Sequence, residues 1–278
     1  MFFFEEINGK KILKSDLIKN AKGFFTTREI CICDKFDNKT DRSRIKYGMT
    51  NIVENNKKII SDYLKIDEKN LISPVQTHSA NIEIAQISKN DYPDTDALIL
   101  TNKEQGIFLN FADCTPIIFY DEKQNIGAVA HAGWRGTAQK IAILTAQKLI
   151  NEFNTNKNDL KVLIGPAICS DCYDVGENVY NELKQTVSDF EGLYKIEKSE
   201  NLKILNQVQN DKFSYKNLAK NNKIYVDLKN INKKQLTDLG IDNIDVCPYC
   251  TCCNNEYFYS YRKENGTTLR HSAVLKLL

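Results

Sequence analysis

One stretch of this chain dictates more local structure than any other: Ile126-Gly127-Ala128-Val129-Ala130-His131-Ala132-Gly133-Trp134-Arg135-Gly136-Thr137. Small apolar residues before His131 read as a buried strand, and Ile141, Leu144, Leu149 and Phe153 after it recur at helical spacing. His131 is therefore expected at a strand end. Gly133 and Gly136 allow a sharp turn, Thr137 can cap the new helix, and Arg135 stands beside an N-terminus that attracts anions. The stretch also holds the only Trp and one of only three His in 278 residues, so it is read as a functional turn.

Around it, short apolar runs broken by turn residues predict strands at Asn81–Ile87, Ala97–Leu100, Ile107–Phe111, Ile117–Tyr120, Ile126–Ala130 and Lys161–Ile164. Helices are predicted over Val53–Leu64, Ala138–Phe153 and Val175–Val187, with an amphipathic segment over Val226–Leu239. The first 70 or so residues are mixed, with a strand signal at Ile30–Cys33 and a polar loop from Asp34 to Arg44. Lys195 to Asn222, rich in Lys and Asn, reads as an inserted surface excursion or a short exposed helix. No solenoid-type repeat is present. The expectation is an α+β fold, mixed β-sheets flanked by helices, in a single domain over 1–278 with a surface insertion at 195–222.

The formal net charge of +2, from 38 basic and 36 acidic residues, gives no strong attraction to nucleic acid or membrane. Met1-Phe2-Phe3-Phe4 runs straight into Glu5-Glu6 without the pattern of a signal peptide, and no run approaches membrane-helix length. A cytoplasmic protein is expected. Its nine Cys are then reduced thiols rather than a disulfide framework.

Three metal-ligating side chains fall at predicted strand ends: His78, Cys114 and His131. Two imidazoles and a thiolate suit a catalytic zinc, which takes three protein ligands and keeps one position open. Their spacing matches no compact motif, so two other readings stand beside this one. Cys114 can be a nucleophile activated by His131, or all three can be ordinary buried residues. Cys247, Cys250, Cys252 and Cys253 form the densest Cys cluster, and Cys247-Pro248-Tyr249-Cys250 has the gap of a zinc knuckle or redox pair. Cys169 and Cys172 can in principle supply the second knuckle of a four-thiolate site, although reduced, partly buried thiols are the default. Three His and no His-x-His pair are too few for a multicopper centre.

The motifs Gln76-Thr77-His78, Ala112-Asp113-Cys114-Thr115-Pro116, His131 to Thr137, and Ile164-Gly165-Pro166-Ala167-Ile168 through Cys172-Tyr173-Asp174-Val175-Gly176, in this order, closely resemble the laccase-domain family, formerly described as polyphenol oxidases. Its members are described as purine nucleoside phosphorylases with adenosine deaminase activity. Phe25-Thr26-Thr27-Arg28, Cys250-Thr251 and Phe258-Tyr259-Ser260-Tyr261-Arg262 extend the likeness. Two places depart from it: Glu29-Ile30-Cys31-Ile32 replaces a glycine-rich stretch, and Leu269-Arg270 stands where Gly-Arg is usual.

The resemblance implies a cytotoxic necrotizing factor-like fold, with zinc held by His78, Cys114 and His131. It also implies purine nucleosides (adenosine, inosine, guanosine, methylthioadenosine) and inorganic phosphate as partners, for a monomer or homodimer. Within that chemistry Asp113 is the candidate proton shuttle, or else a turn residue supporting Cys114, and Arg135 is the first candidate for phosphate, followed by Arg28 and Arg262, which read more readily as structural ion pairs; Trp134 can stack on a purine or anchor the core under the turn. The resemblance also admits an amidase that edits peptidoglycan precursors, using zinc or Cys114 with His131. A zinc-stabilised binding protein without turnover is the non-enzymatic alternative.

Overall fold

The computed structural model describes residues 1–33, 46–197 and 222–278. The Asp34 to Arg44 loop and residues 198–221 of the expected insertion lie outside the described residues. Two six-stranded mixed sheets form the centre. In the first, β1 (Phe2–Ile7), β2 (Lys10–Ser15), β3 (Ala21–Thr26), β15 (His271–Leu277), β7 (Gly106–Phe111) and β4 (Leu71–Ile72) lie side by side in that order. In the second the order is β14 (Ile244–Val246), β10 (Leu160–Ile164), β8 (Thr115–Asp121), β9 (Ile126–Ala132), β6 (Ala97–Leu100) and β5 (Ile82–Ile84). Among the described strands only β4–β7, β5–β6 and β10–β14 pair in parallel. A three-stranded sheet, β11 (Asp174–Val175), β13 (Lys223–Val226) and β12 (Tyr194–Glu197), stands beside them.

Side chains two apart on a strand share a face, and this period sorts the cores. Phe25, Leu109, Ala273 and Leu275 of the first sheet meet Leu98, Ile118, Val129 and Leu163 of the second in the central core. The alternate residues Ile117, Phe119, Ala128 and Val162 face α3 (Ile141–Phe153) and α5 (Leu228–Asp238). Phe24, Phe108 and Val274 point the other way, onto Ile59, Ile60 and Leu64 of α1 (Lys46–Leu64). Because both faces are covered at the middle of each sheet, strands such as β8, β9 and β15 are buried throughout and read as continuous apolar runs. Among the described residues no helix is long and apolar enough to cross a membrane.

The α+β expectation therefore holds, with local corrections. Ile30–Cys33 is buried irregular chain rather than a strand, because it tucks under α1 and Tyr259 without a strand partner among the described residues. The helix expected over Ala138–Phe153 is two helices, α2 (Trp134–Ala138) and α3, divided where Lys140 adopts a left-handed φ of 62°. Thr137 does not cap: Gly133 is the N-cap, and Thr137 lies buried inside α2, accepting a hydrogen bond from Asn232 Nδ2 at 2.9 Å. α4 is shorter than expected, Glu177–Lys184. The excursion starts later than Lys195, since Lys195–Glu197 belongs to β12 and pairs with β13.

Candidate metal centre and its cleft

Two connections and one strand end deliver the three expected side chains to one point. His78 comes from the β4–β5 connection, Cys114 from the tight β7–β8 turn, and His131 from the penultimate position of β9. Their ligand atoms lie within 4.8 Å of one another, with Cys114 Sγ 3.8 Å from His78 Nε2 and the two imidazole centroids 4.8 Å apart. His131 is 3% exposed, whereas His78 is exposed, so the cluster has one anchored side and one side open to solvent.

Asp96, fully buried immediately before β6, holds this geometry. Its carboxylate accepts hydrogen bonds from the backbone N–H groups of Thr77 (3.1 Å), His78 (3.1 Å) and Ser79 (2.7 Å), and from the Ser79 hydroxyl (2.8 Å). It also meets His131 Nδ1 at 2.7 Å. A donor Nδ1 leaves Nε2 as the free ligand atom, the arrangement by which carboxylates orient metal-binding histidines. The same contacts fix the left-handed backbone of His78, whose φ is 64°.

Electrostatics favour a ligating thiolate. Burial, the largest influence on Cys114, opposes its charge, but the neighbouring His131 and His78 overcome it and bring the thiol down to about 6. Burial likewise opposes charge on His131, yet the Cys114 thiolate and the Asp96 carboxylate raise it to about 9. Asp96 is held well below the usual carboxylate range, where the His131 and Ser79 contacts outweigh burial. A thiolate beside an imidazolium is the charge pattern a divalent cation can replace. A Cys/His₂ donor set with one open side fits zinc. His271, the third His, stands apart from the cluster: it is fully buried beside Phe111 and Phe258, and burial pushes it down to about 3.

The cluster lies in the wall of a cleft of about 720 Å³. Gln76, Asn110, Asp113, Tyr173, Arg262 and Arg270 also line it. Asp113, 8% exposed with φ of 86°, accepts from Thr251 Oγ1 at 2.6 Å and from the Arg262 backbone N–H at 2.7 Å. It thereby ties the Cys114 turn to the 250–262 segment. Arg262 reaches the cleft while its guanidinium pairs with Asp174.

Arg28, Trp134 and Arg135 lie elsewhere. Arg28 donates to Asn255 O (2.5 Å) and Glu264 (3.2 Å) and stacks on Tyr259. Trp134 packs beside the cluster of Val179, Leu183 and Phe190 under α4, with the exposed Arg135 stacked 4.4 Å above its ring. None of the three lines the cleft. The sequence reading missed Asp96, Tyr173 and Arg270. An acid directly before an apolar strand, as in Asp94-Thr95-Asp96-Ala97, is the signal that points to the first.

A mixed-sheet α+β fold carrying a Cys/His₂ cluster at its sheet ends defines the class. The chain belongs to the family described as multi-copper polyphenol oxidoreductase laccase, whose model matches residues 22–277. Among curated relatives it is similar to purine nucleoside phosphorylase YlmD of Staphylococcus aureus, 30% identical over 229 residues, covering 78% of this chain and 76% of that protein. Purine nucleoside phosphorylase YlmD of Bacillus subtilis (strain 168) is 27% identical over 231 residues, covering 78% and 74%. Among solved structures, YlmD from Geobacillus stearothermophilus superposes with a TM-score of 0.79 at 24% identity, covering 100% of this chain and 99% of that one. The Bacillus licheniformis protein YfiH gives 0.78 at 25% identity, covering 99% of each chain.

Proposed function

We propose that this protein is a zinc-dependent purine nucleoside phosphorylase with adenosine deaminase activity. The observation that carries the reading is the His78–Cys114–His131 cluster, preorganised by Asp96 in the wall of a cleft of nucleoside-accommodating size. The relatives' names supply the substrate class. When bound, zinc supplies Lewis acidity that makes an oxygen nucleophile accessible near neutral pH.

The chain's own residues divide the remaining work. Phosphorolysis joins inorganic phosphate to C1′ as the glycosidic bond breaks and the purine leaves with a proton. That reaction needs cationic donors in the cleft. Arg262 and Arg270 are placed to provide them, and Arg135, stacked outward on Trp134, is not. Tyr173 offers an aromatic face on the cleft, the role first considered for Trp134. Deamination exchanges the C6 amino group for oxygen with release of ammonia and needs a proton carrier. Asp113, which accepts a hydrogen bond from the Thr251 hydroxyl, is a buried carboxylate lining the cleft and is assigned that role.

The test is mass-spectrometric product analysis of zinc-loaded protein with adenosine, with and without phosphate, against His131→Ala. Adenine and ribose-1-phosphate are expected only with phosphate, and inosine in both conditions. No product above the His131→Ala blank overturns the reading.

A further inference from the structure

The second Cys group is not the one its densest sequence pattern suggests. Cys247, buried at the end of β14, takes no part in it. Instead Cys169-Ser170-Asp171-Cys172 and Cys250-Thr251-Cys252-Cys253 come together, and all four Sγ atoms lie within 4.8 Å of one another.

The backbone builds this approach. A parallel bridge joins Ala167 to Cys250, and Thr251 N–H donates to Ala167 O at 3.3 Å. Each Cys-x-x-Cys segment is a tight turn: Cys172 and Tyr173 N–H donate to Cys169 O at 3.0 Å, and Asn254 N–H donates to Cys250 O at 2.8 Å. The amides of Cys169 and Cys253 point at Cys250 Sγ, at 3.3 and 3.4 Å, which favours a thiolate there.

Four thiolates around zinc, at about 2.3 Å each, stand about 3.8 Å apart along the edges of a tetrahedron. Cys172 and Cys253 Sγ are 3.5 Å apart, close to that edge and well beyond the roughly 2.05 Å of a disulfide. Paired Cys-x-x-Cys turns from separate parts of a chain are the spacing of structural tetrathiolate sites. Cys31 and Cys33, the other close pair, have no third ligand beside them among the described residues.

We propose that Cys169, Cys172, Cys250 and Cys253 form a second metal centre, a tetrathiolate site for zinc distinct from the His78–Cys114–His131 set. Its ion cross-links two segments 81 residues apart in sequence. Those segments carry Tyr173 and Arg262 into the cleft and hold Asp113 through Thr251, so the centre clamps one cleft wall. It stands whatever the outcome for the nucleoside reading, because its readout is metal content.

The test is metal analysis, zinc and iron together, of protein purified under reducing conditions. Cys172→Ser/Cys253→Ser is expected to lose one metal equivalent per chain relative to wild type, and the neighbouring control Cys252→Ser none. Should the double variant fail to fold, His131→Ala decides: it must retain one equivalent. Cobalt loaded into that variant must show the intense visible bands of a tetrahedral thiolate complex. Unchanged metal content in a folded double variant overturns the proposal. So does a metal-free His131→Ala, or alkylation mass spectrometry of metal-free wild type showing Cys169–Cys250 and Cys172–Cys253 bridges.

Discussion

Replacing Asp96 by Asn removes the charge that organises the Cys/His₂ cluster while keeping nearly the same shape. The carboxylate now accepts from three backbone amides, the Ser79 hydroxyl and His131 Nδ1. A carboxamide has one accepting oxygen, and its NH₂ group must face donors, so His131 loses its orienting partner or the His78 loop loses its anchor. Orienting partners of this kind are worth about 10–100-fold in metal affinity, or about 1.4–2.7 kcal/mol. The assay is competition for zinc against a chromophoric chelator, with circular dichroism of the metal-free protein to confirm folding. Wild-type affinity should also rise with pH up to about 9, because the His131 proton must leave before the ring ligates. A folded Asp96→Asn protein that binds zinc within about twofold of wild type refutes the assigned role of the carboxylate.

A Cβ on Gly133 would meet Cys114 Sγ and His78 Cδ2, each at 3.0 Å, so Gly133→Ala should displace both ligands at a cost of about 1–3 kcal/mol, read as weaker zinc binding in the same competition. Unaltered binding would show that the ligands yield freely. Burial brings folded His271 down to about 3 from the ordinary 6.5, so between these values only the unfolded chain carries its proton. Stability must then fall as pH drops below 6.5, by about 1.4 kcal/mol per unit, and urea unfolding of His271→Phe should lack that slope; equal slopes would sink the assignment. Arg28→Ala, which unties Asn255 and Glu264 without touching the cleft, should cost about 1–3 kcal/mol of stability and leave nucleoside KM unchanged, whereas a raised KM at wild-type stability would return Arg28 to the substrate site.

The sequence was most readable where local chemistry and tertiary environment agree. The strand at Ala97–Leu100 matches β6 residue for residue, because an apolar run bounded by polar residues has no better use than a sheet buried on both faces. His78, Cys114 and His131 converge as expected, since each ends or follows a strand of the central sheets. What failed depended on partners far along the chain. β1 and β2 were obscured by Glu5, Glu6, Lys10, Lys11 and Lys14, which break the apolar alternation, although Asn8-Gly9, with φ of 49° and 70°, is a strong hairpin signal. Arg28 and Arg135 carry the charge of an anion site, but side chains from distant segments, Glu264 for Arg28 and Tyr173 for the cleft, decide what lines the pocket. The pairing of Cys250 with Cys253, rather than with Cys247, is set by the Ala167–Cys250 bridge, which no spacing rule contains.

Two buried carboxylates explain why this site needs so much of the fold. Asp96 and Asp113 are 0% and 8% exposed, and burying an unpaired carboxylate is costly. Each is compensated by donors from a different loop, so the polar contacts that offset desolvation also fix the position of those loops. Asp96 ties the His78 loop to His131 at the end of β9. Asp113, next to Cys114, ties the β7–β8 turn to Thr251 and Arg262. The candidate metal ligands are thus connected through one carboxylate, and the cleft wall is attached to them through the other. If the four thiolates hold an ion, that wall is fixed from its far side as well: Thr251 sits between Cys250 and Cys253, so one short segment joins the tetrathiolate centre to Asp113. Loss of the Cys centre should therefore loosen the Arg262 side of the cleft while leaving the Asp96-braced ligand cluster in place. This places the two clusters in separate structural roles, one shaping the pocket and the other acting within it.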